Sequence, residues 1–549
     1  MSEEKKTGVI PVWQGAVILT LCALWPVLDF GVRNMTDQDF RPPRLLFYFL
    51  IFLAAGFAAG FGLKFLLRQR GAGAAFMLAG IGVFAVLNYY LISGALQQVP
   101  GLGNYALIGL LLFILLLAGA SALFVWPRTQ PVIPALAIAM LFGLGAVTLQ
   151  NSFALGRHLF FTEAGRSSLS EVALRSDKWP SDPAALNENS HYKGAADAAP
   201  PNIYYILPDM LMGAREFEAM TGAVYEMDEI LEKRNFKVLD HYYSNAPITR
   251  LSLAHVFGAD YFADKDTTLT NDLIRNLPWR DGGGVYQTLR RRGYNIFYFV
   301  DTYVNPDCAP LADYCYTKKN FFDAQDLIFL ERTPFFEMLT ASGSTLAPVW
   351  RRLMKYPYYF EIPEILNTLP KKGASPSFTY LHFGLPHSPY RFDEKCEYYD
   401  AYPPIREDKL NGSIQAYVKQ VKCAEKMYSR LIDQILKNDP DAWIIFQADH
   451  GVNYYGQSTG ENIMTLSEEQ VAQNLSIMGA YRLPERCLDT IPEDMSPVNT
   501  FPVLLACLDG RAPDLKPAHH YLMYYLSWQP DGQVRDVTEI IRARADHLK

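Results

Sequence analysis

The sequence predicts an N-terminal bundle of five transmembrane helices, followed by an α/β domain whose mainly parallel sheet is covered by helices on both faces. Three observations lead to this fold class. Five long apolar runs lie in the first third of the 549 residues. After residue 200, short apolar runs of strand length alternate with amphipathic helical patterns. Acidic residues and histidines directly follow several of these predicted strands.

The five apolar runs are each close to the ~20 residues that an α-helix needs to cross a bilayer. They lie near residues 12–30, 45–67, 75–97, 104–126 and 132–155. No small-residue cleavage site follows the first run, which ends in Asp29-Phe-Gly-Val-Arg33, so we interpret it as a retained span and not as a signal peptide. The transmembrane domain is therefore predicted over residues 1–158.

The basic residues near the ends of these runs predict the orientation, because Lys and Arg are enriched in cytoplasmic loops. With the N-terminus in the cytoplasm, the cytoplasmic ends carry six of them: Lys5, Lys6, Lys64, Arg68, Arg70 and Arg128. The opposite ends carry three, namely Arg33, Arg41 and Arg44. Five crossings then put everything after about residue 156 outside the cytoplasm.

A stretch rich in Ser, Ala, Asn, Asp and Pro predicts a linker over residues 159–200, and a second domain over residues 201–549. In that domain the apolar runs predict strands at 203–207, 236–243, 294–300, 378–383 and 443–446. Helical periodicity is found over 285–292 and 413–435. Strands that alternate with helices in this way are typical of a parallel sheet.

Composition excludes some functions and leaves the state of the cysteines open. The formal net charge is −7 and no Lys/Arg tract stands out, so nothing indicates binding to nucleic acid. None of the seven cysteines forms a CxxC pair, which argues against a structural zinc site. Six of them could form disulfides in an oxidising compartment or be buried free thiols. These six are Cys308, Cys315, Cys396, Cys423, Cys487 and Cys507.

Thr249 is the candidate nucleophile. It opens a short apolar helix after a Pro turn, and unpaired N–H groups at a helix N-terminus favour oxyanions. A metal ion could activate its hydroxyl. The alternatives are that Thr249 is only an N-cap, or that Ser252, three residues further on, is the nucleophile.

Three predicted strands end in residues suited to a metal ion or a phosphoryl group. Asp209 follows the first, His382 and His387 lie at the end of another, and Asp449-His450-Gly451 follows the last. Ligands of open α/β sheets gather beyond the C-terminal strand ends, so these side chains are expected to meet there. Two carboxylates, an imidazole and the Thr249 hydroxyl suit Zn or Mn better than Ca.

Four segments together resemble the sulfatase-like branch of the alkaline phosphatase superfamily. They are Ile203-Tyr-Tyr-Ile-Leu-Pro-Asp209, Asn245-Ala-Pro-Ile-Thr-Arg-Leu-Ser-Leu253, Leu385-Pro-His-Ser-Pro-Tyr390 and Ile445-Phe-Gln-Ala-Asp-His-Gly451. Five spans followed by an external domain are similar to lipoteichoic acid synthases and to membrane phosphoethanolamine or phosphoglycerol transferases.

The resemblance implies roles for individual residues. Asp209, Thr249, Asp449 and His450 would hold one catalytic divalent ion, and Thr249 would attack the phosphorus. His387 would contact the transferred group or protonate the leaving oxygen. His382 and Arg250 are candidate substrate contacts, with a surface charge as the alternative for Arg250.

Two departures from the family patterns narrow this reading. True sulfatases use a Cys or Ser, converted to formylglycine, with Pro two positions later; here Pro247 follows Asn245, so that motif is absent. Phosphoethanolamine transferases usually have another histidine about a dozen residues after Asp-His-Gly, and residues 452–460 contain none. This argues against a second ion and leaves the headgroup open.

The sequence therefore predicts a metal-dependent transferase in the inner (plasma) membrane of a bacterium, with its active domain in the periplasm or at the cell exterior. It would move a phosphoethanolamine or phosphoglycerol headgroup from a membrane phospholipid to an envelope glycan or lipid through a phospho-threonine intermediate. The alternatives are a sulfatase-like or phosphodiester hydrolase, and a non-catalytic envelope protein that keeps the fold as a scaffold.

Overall fold

The computed structural model describes most of both predicted parts of the chain. The described residues are 10–35, 41–66, 71–91, 132–161, 200–270, 273, 282–301, 309, 311–317, 324–336, 376–388, 390, 392–397, 410–452, 462–524 and 532–547. The chain divides into two compact units. The first contains Met1–Arg175 and Phe321–Met354, and the second contains Ser176–Asn320 and Lys355–Lys549.

The first unit contains four long apolar helices. They are α1 (Val12–Asn34), α2 (Pro42–Leu66), α3 (Gly71–Leu87) and α4 (Val132–Phe161). Within the described residues, α1, α2 and α4 are long and apolar enough to cross a membrane, whereas α3 has 17 residues. The predicted span near 104–126 lies outside the described residues. Three of the predicted spans are thus confirmed by length and composition, and the count of five is not.

Helices α1 and α3 pack with their backbones close together at glycines. A Cβ atom on Gly15 would lie 2.1 Å from the carbonyl oxygen of Gly73, and one on Gly80 would lie 2.8 Å from the Cα of Leu19. Small residues at such crossings allow the backbone contact that holds apolar helices together in a lipid environment.

The second unit is built on a seven-stranded sheet, as the alternating pattern predicts. Its strands are β1 (Ile203–Pro208), β2 (Lys237–Val238), β3 (Asn295–Asp301), β4 (Tyr314–Thr317), β5 (Ser377–Phe383), β6 (Trp443–Gln447) and β7 (Gly479–Arg482). Their order is β2-β7-β6-β1-β5-β3-β4. The central pairs are parallel, and only the β6–β7 and β7–β2 pairs are antiparallel. A mainly parallel sheet is therefore confirmed.

Burial of β1 and β5 shows that both faces of the sheet centre are covered. Every residue of these two strands is buried, although successive side chains point to opposite faces. In register, Ile203 lies opposite Phe378 on one side and opposite Trp443 on the other. The C-terminal ends of β6, β1 and β5 therefore lie next to one another.

The remaining described elements surround this sheet or belong to the first unit. The helices are α5 (Ala214–Thr221), α6 (Met227–Glu232), α7 (Thr249–Gly258), α8 (Gly283–Arg291), α9 (Ala324–Glu331, first unit), α10 (Leu410–Asn438), α11 (Glu468–Leu475), α12 (Glu485–Leu488), α13 (Thr500–Leu508) and α14 (Thr538–His547). Strands β8 (Tyr521–Leu522) and β9 (Arg535–Asp536) form a separate two-stranded sheet.

The strand predicted over 236–243 is much shorter in the structure. Only Lys237 and Val238 pair with β7, and Tyr243 makes an isolated bridge to Ser476. The chain leaves the sheet edge because Tyr242 turns inward, where its hydroxyl donates a hydrogen bond to the side chain of Gln447. An apolar run at a sheet edge can be buried in this way without continuous pairing.

The described cysteines after residue 300 are all disulfide-bonded. Cys396 pairs with Cys423, Cys487 pairs with Cys507, and Cys315 is also in a disulfide. Cys308 lies outside the described residues. Disulfides favour an oxidising compartment for this part of the chain over the alternative of free thiols.

Candidate active site

Three neighbouring strand ends deliver acidic and imidazole side chains to one place. Asp209 follows β1 directly, His382 lies in β5, and Asp449 and His450 follow β6. The amide N–H of Asp209 donates to the carbonyl oxygen of Phe383, at 2.8 Å, which ties the end of β1 to the end of β5. All four side chains are buried.

Thr249 brings a hydroxyl to the same place from the start of α7. Ile248 has the extended backbone of the N-cap position and makes no side-chain cap hydrogen bond, so Thr249 is the first helical residue and not the cap. Its Oγ1 lies 3.3 Å from His450 Nε2. The hydroxyl therefore faces the cluster and does not serve the helix.

His450 presents Nε2 to the cluster because its other nitrogen is engaged. Nδ1–H donates to the carbonyl oxygen of Gly451, at 2.7 Å, so the lone pair is on Nε2. Nε2 lies 3.6 Å from Asp209 Oδ1 and 3.5 Å from Asp449 Oδ2. A histidine held in this way is ready to bind a metal ion.

The glycine after His450 is required by a close backbone approach. A Cβ atom at Gly451 would lie 2.1 Å from the carbonyl oxygen of Gln473. Backbone hydrogen bonds to residues 473 and 474 fix the turn at this point. The Asp-His-Gly sequence is thus set by both chemistry and packing.

Several ligand atoms in the cluster have no hydrogen-bond partner among the described residues. Asp449 Oδ1 accepts from the backbone N–H groups of Met210 and His450, at 3.0 and 2.9 Å. In contrast, Asp449 Oδ2, both carboxylate oxygens of Asp209, and His382 Nε2 are buried and unpartnered within that part of the chain. Burial of a carboxylate without a partner costs several kcal/mol or more unless a cation compensates it. These atoms fit a divalent cation with mixed oxygen and nitrogen ligands.

The ligand atoms are close enough to share an ion. Asp209, His387 and His450 form one group, and Asp209, His382 and Asp449 form another, with the ligand atoms of each within 4.8 Å of one another. Asp209 belongs to both groups and lies at the centre of the site.

The imidazoles around Asp209 also decide its charge. Burial alone would raise the pKa of the Asp209 carboxyl, but the charges of His387, then His382 and His450, outweigh it and hold the pKa below its ordinary value. Asp209 is therefore an anion at neutral pH, which is the form that binds a cation.

His382 lies nearer the acidic residues than the sequence suggested. It was expected as a substrate contact, but its Nε2 lies 3.7 Å from Asp209 Oδ2 and its Nδ1 is 3.2 Å from the hydroxyl of Tyr380. The signal for this was the sheet register, since His382 pairs with Leu207, two residues before Asp209. That register depends on strand order, which local sequence does not reveal.

The other predicted residues lie around the cluster or away from it. The rings of His387 and His450 are 6.2 Å apart, and His387 Nδ1 donates to the carbonyl oxygen of Ser388. Arg250 is buried in α7, which disagrees with the alternative of a surface charge. Ser252 is buried one turn along α7, and its Oγ lies 2.9 Å from Ser244 Oγ.

Comparison with known proteins gives one family and several similar structures. The sulfatase family model matches residues 201–510, and a comparison with curated proteins finds no match. The C-terminal periplasmic domain of EcEptC from Escherichia coli is similar, with 13% identity, a TM-score of 0.38, and coverage of 63% of this chain and 94% of that one. Phosphonate monoester hydrolase of Agrobacterium radiobacter has 14% identity, a TM-score of 0.38, and coverage of 59% and 80%.

A third similar structure is the integral membrane protein lipooligosaccharide phosphoethanolamine transferase A from Neisseria meningitidis. It has 13% identity and a TM-score of 0.32, with coverage of 90% of this chain and 95% of that one. At these identities and TM-scores the three likenesses support no conclusion about activity.

Proposed function

The chain belongs to the sulfatase family, and on that premise we propose that it transfers a phospho-alcohol headgroup from a membrane phospholipid to an envelope glycan or lipid. Its membership makes it an enzyme of the sulfatase and alkaline phosphatase superfamily, whose members use a divalent metal. The observation that carries the proposal is the Thr249 hydroxyl, held 3.3 Å from His450 Nε2 beside two buried carboxylates.

A threonine nucleophile favours phosphoryl transfer over sulfate ester hydrolysis. Sulfatases need a formylglycine, and the chain has Thr249 where the helix meets the metal ligands. A threonine hydroxyl cannot become an aldehyde, but it can form a stable ester with phosphate. Pro247 and Asn245 precede it in an order that differs from the formylglycine motif.

We assign the metal ligands to Asp209, Thr249, Asp449 and His450, with Zn or Mn as the ion and His382 as a further candidate ligand. When bound, the ion would lower the pKa of the Thr249 hydroxyl and neutralise charge on the phosphoryl oxygens. The unpartnered oxygens of Asp209 and Asp449 support this ligand set.

The transfer would proceed in two displacements. The Thr249 oxygen attacks phosphorus, the bond from phosphorus to the diacylglycerol oxygen breaks, and that oxygen takes a proton as it leaves. An acceptor hydroxyl then attacks the phospho-threonine, and the proton it loses returns to Thr249 as the ester bond breaks. N–H groups at the start of α7 favour the anionic oxygens during both steps.

His387 is the group we assign to protonate the leaving oxygen. Its ring lies near that of His450, and it is half-buried, so a substrate could reach it. We assign Arg250 to the phosphate oxygens because it adjoins Thr249, although no contact between Arg250 and the cluster supports this role. The headgroup is phosphoethanolamine or phosphoglycerol.

The apolar helices support a membrane location for the donor site. Phe30 near the end of α1 and Leu155 near the end of α4 belong to one apolar cluster, so both helices end on the same side. The positive-inside bias then supports a cytoplasmic N-terminus. We propose residues 1–158 as the membrane domain, 159–200 as the linker and 201–549 as the periplasmic or extracellular domain of a bacterial inner-membrane protein.

The test is intact-mass measurement of the purified full-length protein after incubation with mixed phospholipids and Zn or Mn. We expect an adduct with the mass of phosphoethanolamine or phosphoglycerol, mapped by peptide analysis to Thr249. The adduct should be lost in Thr249→Ala and kept in Thr249→Ser, which retains a hydroxyl. Release of phosphate or sulfate from model esters without an adduct would instead identify a hydrolase, and neither product with any metal would overturn both readings.

A further inference from the structure

A short segment that interrupts the second unit belongs structurally to the membrane bundle. Residues 324–336, here called the anchor segment, lie in the chain between β4 and β5 of the large sheet. The chain leaves the second unit after Asn320 and returns to it at Lys355, and the residues between belong to the first unit. Helix α9 (Ala324–Glu331) is the first part of the anchor segment.

Phe329 of the anchor segment is packed among aromatic rings of the bundle. Its ring is stacked on Tyr48 of α2, with centroids 4.0 Å apart, and meets Phe30 of α1 edge-on at 5.1 Å. Phe52 of α2 lies 6.1 Å away. Only 4% of Phe329 is exposed, and it belongs to the same apolar cluster as Leu155 of α4.

Polar contacts on one side of Phe329 fix the start of α9 to α2. Asp326 accepts a hydrogen bond from the Tyr48 hydroxyl, at 2.5 Å, and pairs with Arg44 at 3.6 Å. Gln325 accepts from the backbone N–H of Arg41 and donates to its carbonyl oxygen. Gln325 and Asp326 are both buried, so water competes little for these contacts.

A second set of contacts fixes the residue after α9 to α1 and to the end of α3. The guanidinium of Arg332 pairs with Asp29 of α1 at 2.9 Å and lies over the ring of Tyr90, 4.4 Å from its centroid. Its carbonyl oxygen accepts from the backbone N–H of Tyr90. The side chain of Arg332 is buried, so this is a desolvated, geometrically defined ion pair.

We propose that the anchor segment is a second attachment of the second unit to the membrane bundle, independent of the linker at residues 159–200. The contacts reach the ends of α1, α2 and α3 on one side of the bundle, and they combine aromatic packing, a buried carboxylate and a buried ion pair. A surface loop of the second unit would need none of these. The segment therefore holds its unit at the membrane even when the linker is cut.

The test places a site for a sequence-specific protease within the linker of the full-length protein. Membranes that contain the protein are cleaved, and the C-terminal fragment is measured in the pellet and the supernatant. We expect the fragment of the unaltered anchor to stay with the membrane and to copurify with the N-terminal fragment in mild detergent. Full release after cleavage would overturn the proposal.

Two variants separate docking into the bundle from simple adhesion to lipid. Phe329→Ala should raise release at least about tenfold, since truncation of a buried Phe weakens packing by more than that factor. Phe335→Ala removes the same ring from an exposed position of the same segment and should leave release unchanged. Release by Phe335→Ala but not by Phe329→Ala would indicate lipid insertion and refute docking.

Misfolding is separated from loss of docking by the uncleaved protein. The linker and the spans still hold every variant in the membrane before cleavage, so its amount there reports folding. Arg332→Glu gives an independent check, because it puts a carboxylate beside Asp29 and should also raise release. The result does not depend on the proposed transferase activity, because retention is measured without substrate.

Discussion

Replacing Asp449 with asparagine should separate metal binding from folding. An Asn Oδ1 can accept the same two backbone hydrogen bonds, from Met210 and His450, that Asp449 Oδ1 accepts. The amide nitrogen would replace Oδ2, which has no partner among the described residues and is the atom available to a cation. We therefore expect Asp449→Asn to fold normally and to bind metal poorly.

The expected energies follow from ligand linkage. At a metal concentration of 100 times Kd, binding stabilises the unaltered protein by about 2.7 kcal/mol. If loss of the ligand weakens affinity about 100-fold, the same concentration stabilises the variant by only about 0.4 kcal/mol. Without metal the variant should be as stable as the unaltered protein or more so, because it removes one of two neighbouring buried charges, Asp449 and Asp209.

The assay is urea unfolding of the detergent-solubilised full-length protein, followed by tryptophan fluorescence, with chelator and with zinc. Asp439→Asn is the matched control, because Asp439 is equally buried but accepts a hydrogen bond from Asn202 at 2.8 Å. That control should lose stability in both conditions and keep the full gain from zinc.

Two results would refute the reasoning. An equal zinc gain in Asp449→Asn and the unaltered protein would show that Asp449 is not a ligand. A large loss of stability in chelator would show that protein contacts, and not an absent cation, satisfy the carboxylate.

Two further predictions concern packing and pH. Gly451→Ala should lower the free energy of unfolding by about 1–3 kcal/mol, because the new Cβ overlaps the Gln473 carbonyl oxygen, and should weaken zinc binding; unchanged values in the same urea assay would contradict the close approach. Burial lowers the pKa of His255 to about 3 and that of His520 to about 4. Since the unfolded chain then binds more protons below pH 6.5, stability should fall with acidification, by about 2 kcal/mol per histidine at pH 5. His255→Phe should remove its share of that fall, and an unchanged pH profile would count against it.

The local elements of the fold were readable from the chain because their signals are local. The apolar runs predicted α1, α2 and α4 to within a few residues at most ends, and the strands at 203–208 and 443–447 agree closely with the predicted ones. A span or a buried strand needs only a run of apolar residues of the right length. The strand over 236–243 failed because apolar side chains there enter the core without pairing along the sheet edge.

The site was readable in its members but not in its arrangement. Strand-exit positions identified Asp209, Asp449 and His450, since ligands gather at the C-terminal ends of parallel strands. The position of His382 beside Asp209 depends on β5 being the neighbour of β1, although about 170 residues separate them in the chain. Nothing within a few residues of His382 carries that information.

The sequence by itself determined which segments are apolar enough to enter a membrane, which form strands, and which polar side chains end those strands. Each of these properties depends on neighbours within one or two turns of chain. Only the tertiary structure decided that Asp209 and Asp449 keep unpartnered oxygens in a buried cluster, and that the anchor segment leaves its sheet to pack on Tyr48 and Asp29. Those outcomes arise from contacts between residues hundreds of positions apart, whose strengths depend on burial that no local pattern contains.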